Sequence, residues 1–439
     1  MIDLEVYKIS LLWGICLPDS CSSSDFANLS FIIPFQVSSN SCQTAASSNI
    51  EFDAGDYGAI AFFSIVLLLM ALSTGYEIFH LFIRKKPHSS ILNAFSVITN
   101  TLRIVEVKKD KDEITCLHGM RVFSLIFLMY GFTYGLQILS PLENLLDFLS
   151  WITNRLITVY FEGILVIDTF FFISGLLVSY KYLRLEGKGV DFNIFVYYVM
   201  RVLRLTPALF AIVLLNATLM RHMGSGPIWP LMRSTLIVDN CRENWWSTLL
   251  YVQNYATPNY CTPMIAWLSW ILAFGLIVIC FVCPAIVEDD FHPIKSPMHV
   301  SMIRIAWSIA LSWFVFACVY GFSGPVNNLL SLPILQVISK ISYCTFLTNM
   351  TVMTFASLQM KTGVHFSNID VLHKFWPNLV YSLFIGYIWT LAFESPIIVL
   401  QKFLVSGISK LTNPVFTYHE QIIERFKGNR KSKLMNSKL

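Results

Sequence analysis

Eight long apolar stretches constrain the fold of this chain more than any other feature of its sequence. A helix of about 20 residues crosses roughly 30 Å of hydrocarbon, and each stretch approaches or exceeds that length. They cover residues 57–83, 120–139, 156–180, 205–220, 264–287, 303–322, 329–358 and 375–405. Backbone polar groups in lipid must be satisfied within the segment, and the alternation of a β-barrel is absent. We therefore expect an all-α, multi-pass transmembrane helical bundle.

The composition excludes several classes of protein. Hydrophobic residues make up 55% and charged residues 13% of the 439 positions, which is too apolar for an ordinary soluble domain. The net charge of +4 does not indicate nucleic acid as a partner, because no basic stripe interleaved with aromatic residues occurs in a polar segment. The sequence contains no Walker loop, GxSxG elbow, HExxH motif or zinc ligand set. We expect no metal site and no bound cofactor.

Charges beside the first apolar stretch predict its orientation. Acidic residues precede it, and Arg84, Lys85 and Lys86 follow it, which places the N-terminus outside the cell or in a lumen. The predicted divisions are an external segment (1–56), a first span (57–83), a cytosolic linker (84–113), a transmembrane domain (114–405) and a basic cytosolic tail (406–439). The chain would be an integral protein of the plasma membrane or of an endomembrane.

The predicted external segments contain cysteines and a glycosylation sequon. Cys16, Cys21 and Cys42 form an odd set near the N-terminus, where no signal peptide is visible, and Asn28 begins an Asn-Leu-Ser sequon. A second external loop, predicted over 221–263, holds Cys241 and Cys261. An oxidising environment favours a disulfide between these two over a pair of free thiols.

One acid stands inside an apolar stretch. A charge at the centre of a bilayer costs roughly 2.5 to 3.5 kcal/mol, so Asp168 marks a candidate functional site. Its motif is one of four that are long and specific: VIDTFFFISGLLVSY (166–180), RVLRLTP (201–207), CLHGMR (116–121) and FSGPVNNLLSL (322–332). Together they resemble the acyltransferase-3 superfamily of membrane proteins, and within it the nose resistant to fluoxetine branch. The Cys-containing string WGICLPDSCSSSDF resembles the end of the extracellular domain of that branch.

This resemblance implies transfer of an acyl group from a cytosolic acyl-CoA to a hydroxyl acceptor. Arg121, Arg201 and Arg204 would hold the phosphates of acyl-CoA, and Asp168 would polarise the site. The alternative for the arginines is anchoring at the membrane surface. The histidine that the family places eleven residues after the first arginine is here Phe132, which cannot accept a proton. We expect this copy to be weakly active or inactive.

The sequence departs from the family pattern elsewhere too. The acid expected after Trp270 is missing, and Asn349 stands where the family has a histidine. His118 precedes the first arginine by one turn and is a poor substitute for the missing base, because the branch often has it beside the catalytic histidine. Glu394 matches a closing Glu-Pro element, either as a functional intramembrane acid or as a structural cap for Pro396.

Two functions remain open from the sequence. One is an acyltransferase with membrane lipids, acyl-CoA and a hydroxyl acceptor as partners. The other is a non-catalytic membrane protein that binds or transports lipids or small apolar compounds. Eight crossings would also leave the C-terminus outside, although the tail from residue 425 to 433 is basic. We therefore hypothesise that an odd number of spans, three, is missing near residues 288–302, where the family has further spans.

Overall fold

The described part of the chain is helical. The computed structural model describes residues 50–81, 91–107, 114–139, 142–152, 163–187, 193–224, 229, 238–252, 295–320, 324–360, 362–401 and 403. The helices are α1 (Ala54–Phe79), α2 (Val97–Val105), α3 (Cys116–Gly135), α4 (Leu145–Ile152), α5 (Gly163–Glu186), α6 (Ile194–Ala217), α7 (Met220–Met223), α8 (Val238–Leu249), α9 (Lys295–Val319), α10 (Gly324–Leu330), α11 (Pro333–Leu358) and α12 (Asn368–Trp389). These residues contain no β-strand, and Leu142 and Val364 form an isolated bridge.

Five of the described helices are long and apolar enough to cross a membrane. They are Ala54–Phe79, Cys116–Gly135, Val166–Glu186, Ile194–Ala217 and Asn368–Gln401, the last being α12 with its continuation. A further candidate is the pair Trp307–Val319 and Gly324–Leu330, which bends by 97°. The prediction of a helical, multi-pass membrane protein is confirmed at this level.

Contacts between helix ends define two opposite faces of the bundle. On the first, the Asp53 face, His222 after α6 contacts Asp56 at the start of α1, with 2.9 Å between Nε2 and Oδ2. On the second, the Lys340 face, the Lys340 ammonium donates to the backbone carbonyl of Glu106 at 2.6 Å. Gln401, beyond α12, donates to the carbonyl of Met200 at 2.9 Å, and the chain therefore leaves α12 toward the Lys340 face.

Several helix boundaries differ from the apolar stretches. α6 begins at Ile194, well before residue 205, because the Asn193 side chain accepts the Val196 amide as an N-cap and the aromatic first turns continue the helix. The stretch 329–358 is not one helix: α10 ends at Leu330, and α11 starts afresh with Pro333 in its first turn.

The predicted external loop 221–263 contains α8, which packs along α6. Cys241 of α8 is buried against Val213 and Ala217, and the Tyr251 hydroxyl lies 3.1 Å from that of Thr206. Because Thr206 is in the interior of α6, this segment descends beside the span instead of remaining outside it. The cytosolic linker likewise contains a helix, α2.

α11 lies at the centre of the described bundle, against α3, α6 and α12. Its buried hydroxyls are satisfied within the helix: Thr345 and Thr348 donate to the carbonyls four residues earlier, at 3.0 and 2.9 Å. Such bonds let polar side chains lie in an apolar medium. Gly386 of α12 packs so closely that a Cβ there would lie 2.6 Å from the Cα of Thr345.

Some sequence predictions fall outside the described residues. These are the N-terminal segment with Cys16, Cys21, Cys42 and Asn28, the partner cysteine Cys261, the stretch 264–287 and the basic tail 406–439. The first part of the junction, residues 288–294, also lies outside them, and α9 begins within the junction at Lys295.

Candidate functional site

A cavity of about 930 Å³ opens among α3, α5, α6, α11 and the continuation of α12 over residues 390–401, with α2 at its edge. Its charged lining is mostly cationic: the charged residues are Arg103, Arg121, Lys181, Arg201, Arg204, Lys340 and a single acid, Glu394. Its apolar lining includes Leu128, Phe132, Ile167, Phe170, Phe171 and Phe346. The three arginines that the sequence singled out therefore come together in one cavity with Phe132.

The cavity has a cationic end and an apolar end. Arg121 stands near the start of α3, and Phe132 lies about 16 Å further along the same helix at 1.5 Å per residue. α3 and α5 are antiparallel, since Met120 packs with Leu177 while Met129 packs with Phe170. Cations thus gather toward the Lys340 face, and aromatic side chains gather deeper in the bundle.

Arg204 is paired with Glu394. Its Nε and Nη2 donate to Oε1 of the carboxylate at 3.1 and 2.6 Å, and the other oxygen accepts the Cys344 thiol at 3.4 Å. The Glu394 side chain is 2% exposed and that of Arg204 is 50% exposed. Glu394 lines the cavity, where the arginine holds its carboxylate, and its role as a functional acid or as a structural cap for Pro396 stays a prediction.

A π-helical turn, Thr390–Glu394, carries this acid. All five of its residues are buried, and the Thr390 hydroxyl donates to the carbonyl of Gly386 at 2.8 Å. π-turns of this kind occur often at functional sites. The wider turn places Glu394 beside α6, a contact that the sequence alone did not indicate.

Arg201 has different partners. Its Nη1 donates to the Tyr197 hydroxyl and its Nη2 to the Ser174 hydroxyl, both at 2.8 Å. Both partners are neutral, and no carboxylate lies within salt-bridge distance of this guanidinium in the part of the chain that the structure describes. Ser174 belongs to the motif around Asp168, so α5 supplies a site residue other than the acid.

The base position of the family is apolar here. Phe132 lines the cavity together with Leu128, Gly131 and Phe346, none of which has a side chain that accepts a proton. His118 also lines the cavity, with its Nδ1 2.9 Å from the Ser339 hydroxyl. It stands about 21 Å along α3 from Phe132, among the cations, and is therefore not a geometric replacement for the missing base.

Asp168 lies away from the cavity lining. Its Oδ2 is 3.6 Å from Nε of Arg304 on α9, and the neighbouring Thr169 hydroxyl accepts the Trp307 indole at 3.0 Å. These contacts join α5 to α9. The helical rotation from Ile167, which lines the cavity, turns Asp168 toward α9, and its polarising role stays a prediction.

Two other singled-out residues have structural contacts. Asn349 is fully buried and accepts the Ser382 hydroxyl at 3.3 Å, which joins α11 to α12. Cys241 is buried and is not among the free cysteines of the described residues, which are Cys116, Cys318 and Cys344. Its pairing with Cys261 stays a prediction. Within the described ranges, no group of three His, Cys, Asp or Glu side chains is placed to hold a metal ion.

Comparisons with known proteins find a distant relative. The chain is 21% identical to Nose resistant to fluoxetine protein 6 of Caenorhabditis elegans over an alignment of 557 residues, which covers 90% of this chain and 67% of that protein. Because this alignment exceeds the 439 residues of the chain, parts of the relative have no counterpart here. No family model matches the chain, and no solved structure matches it. The similarity supports the resemblance to the nose resistant to fluoxetine branch.

Proposed function

We propose that this multi-pass membrane protein binds an acyl-CoA in the cavity, with the phosphates among the cations and the acyl chain along the aromatic wall. The division of the lining into a cationic end and an apolar end carries this proposal. Such a cavity is complementary to an amphiphile that has several negative charges at one end. Arg103, Arg121 and Lys340 would meet the phosphates first, and Phe132 would contact the chain.

Guanidinium groups suit this role. Their planar forks bind phosphate oxygens in pairs, and the resulting charge-assisted bonds are about twice as strong as neutral ones. The six cations in the lining, against one acid, would also concentrate anions at the cavity. Because Glu394 already compensates Arg204, we assign the larger share of anion binding to Arg201.

Acyl transfer in this cavity would be slow. In that reaction the acceptor oxygen bonds to the thioester carbonyl carbon, the carbon–sulfur bond breaks, and a base takes the hydroxyl proton. Phe132 offers no base at the position that the family resemblance assigns to histidine. A missing general base lowers the rate by about 10²- to 10⁴-fold. Binding is therefore the principal activity that we propose, with transfer as a residual one.

A second candidate is binding or transport of lipids or small apolar compounds without chemistry. The aromatic lining around Phe132, the family's base position, favours this second function. That end of the cavity can contact a hydrocarbon chain but offers no group for catalysis. The first candidate function requires a ligand with a thioester, whereas binding or transport of apolar compounds does not.

Binding is tested with the purified full chain in nanodiscs and a radiolabelled long-chain acyl-CoA. We expect Arg201→Ala to weaken affinity by about tenfold, through loss of charge-assisted bonds to phosphate, and we expect added salt to weaken it further. Arg184→Ala is the matched control, because Arg184 is an exposed cation on α5 outside the cavity lining. Equal affinities for the wild type and Arg201→Ala would refute the proposal.

Chemistry is tested in the same preparation by release of free CoA thiol. With acyl-CoA at saturation, so that a weaker contact of residue 132 with the acyl chain does not limit the rate, the wild type and Phe132→Ala should give the same rate, because neither has a base at this position. Phe132→His should be faster than both. A wild type clearly faster than Phe132→Ala would show that the base position has been misassigned.

A further inference from the structure

Arg201 carries a charge inside a membrane-spanning helix without an acidic partner in the described part of the chain. It lies about 10 Å from the start of α6 at 1.5 Å per residue. A charge at this depth is costly and is normally compensated by a partner or a ligand. Arg204, one turn further, has Glu394, whereas Arg201 has the two hydroxyls of Tyr197 and Ser174. An anion from outside the described chain would complete this environment.

Within the described part of the chain, the cavity lining at this place is also exposed. The hydrogen bond between Arg201 and Ser174 crosses from α6 to α5 and is itself exposed. Phe171, one turn before Ser174, also lines the cavity and is 38% exposed. Ser174 is near the middle of the candidate span Val166–Glu186, and from this position we infer that the exposed surface beside it lies at the depth of the hydrocarbon.

The flanks of this opening are suited to lipid. Large apolar side chains are exposed along α6 beside it, including Phe195 at 73% and Val202 at 47%. Lys181 lines the cavity two turns beyond Ser174, toward the Lys340 face, and is exposed. The opening therefore presents a cation at the depth of the acyl chains and a second one nearer the headgroups, with apolar surface between and around them.

We propose that a phospholipid of the surrounding leaflet on the Lys340 side docks laterally between α5 and α6. Its phosphate bonds to Arg201 and Lys181, and one acyl chain enters the cavity against Phe171. The charge complementarity of the two cations and the apolar approach select a phosphate-bearing lipid over a neutral one. This site extends the proposed function by a second entrance on the membrane side and shares Arg201 with it, so that the two ligands would compete for this residue. Its existence does not require that acyl-CoA binds.

The test uses phosphatidylcholine nanodiscs that contain the full chain and a phosphatidic acid with a photoreactive group in one acyl chain. After irradiation, peptide mapping should place the label on residues 171–178 and 197–205. A photoreactive diacylglycerol of the same chain length, which lacks the phosphate, should label these peptides about tenfold less. Equal labelling by the two probes in the wild type would overturn the proposal, and this comparison needs no variant.

Substitutions of Arg201 test whether this residue binds the lipid phosphate. Arg201→Gln should reduce phosphatidic acid labelling about tenfold, and Arg201→Lys should reduce it less, because it keeps the charge but loses the fork. Arg184→Gln should leave labelling unchanged, with thermal unfolding of each variant as the check on folding. Labelling that is insensitive to Arg201→Gln in a folded protein would contradict the site. Labelling in a protein that does not bind acyl-CoA would overturn the proposed function and leave this inference standing.

Discussion

At the scale of single residues, Arg204 and Glu394 show that neighbouring cations of one motif have separate roles. The carboxylate of Glu394 is almost completely buried and depends on the guanidinium for compensation. Arg201 stands one turn away and keeps its charge for other partners. Helical spacing alone predicted the same role for these two arginines. That prediction was incomplete, because the pairing of α6 with the residues that follow α12 is visible only in three dimensions.

Arg204→Ala is therefore expected to destabilise the protein. The substitution leaves a buried carboxylate without its partner, and removal of one member of such a pair costs about 3 kcal/mol, less where one side chain is half exposed. Thermal unfolding in detergent should show a clear fall in Tm. The double variant Arg204→Ala with Glu394→Gln should recover much of the loss, since the uncompensated charge is then gone. A double variant no more stable than Arg204→Ala would argue against this account.

At the scale of elements, the N-cap of α1 connects a span to the segments on the Asp53 face. The Asp53 carboxylate accepts the amides of Gly55 and Asp56 and is paired with Arg242 of α8 and Arg221 of α7. The hydrogen bond from Arg242 is the main cause that lowers the pKa of Asp53 below its ordinary value of 3.8. Asp56 and His222 face the same cluster.

A lowered pKa makes this contact sensitive to acid. Its stabilisation is full above the ordinary pKa and is lost as the pH falls through the lower pKa of the folded state. We expect Tm to fall less steeply below about pH 4 in Asp53→Asn than in the wild type, because asparagine still caps the helix but does not titrate. Parallel pH profiles for the two proteins would show that Asp53 does not contribute.

The contact between α11 and α12 depends on a glycine. A Cβ at Gly386 would lie 2.3 Å from the Thr345 hydroxyl oxygen and 2.6 Å from its Cα, and a backbone atom cannot move aside cheaply. Gly386→Ala should lower the free energy of unfolding by about 1 to 3 kcal/mol, measured as a fall in Tm. Gly75→Ala on α1 is the control, because nothing lies within 4 Å of a Cβ there. Equal Tm changes would contradict this close packing.

At the scale of the whole molecule, the faces on which the helices begin and end indicate whether the number of membrane crossings is odd or even. The chain enters α1 at the Asp53 face and leaves α12 at the Lys340 face. α9 starts near the Asp53 face, since Arg304 and Trp307 contact the first half of α5 and Cys318 packs with Cys116 at the start of α3. α6 ends on that same face. The segment between α6 and α9 therefore starts and ends on one side of the membrane.

We expect the two termini to lie on opposite sides of the membrane for this reason. Glycosidase treatment should shift the band of the wild type but not of Asn28→Gln, and a tag at the C-terminus should be accessible only from the cytosol. This arrangement places the basic tail in the cytosol, whereas eight crossings would have placed it outside. An external C-terminal tag together with a glycosylated Asn28 would place both termini on one side and contradict the arrangement.

The sequence alone predicts the helical membrane class, the approximate spans and the cations of the site. A membrane helix satisfies its own backbone, and so an apolar stretch specifies it without help from neighbours. Helical spacing likewise places Arg201 and Arg204 on one face of α6. The start of α6 at Ile194 was missed because Arg201 and Arg204 interrupt the apolar run, so the apolar stretch was counted only from residue 205.

Only the tertiary structure decided which faces meet. It turned Asp168 toward Arg304 instead of the cavity, paired Glu394 with Arg204, and left Arg201 with neutral partners at an opening between α5 and α6. Lipid is as apolar as the side chains that face it, so hydrophobicity does not select the neighbours of a membrane helix. Close packing and polar contacts select them, and those depend on residues that are far apart in the chain.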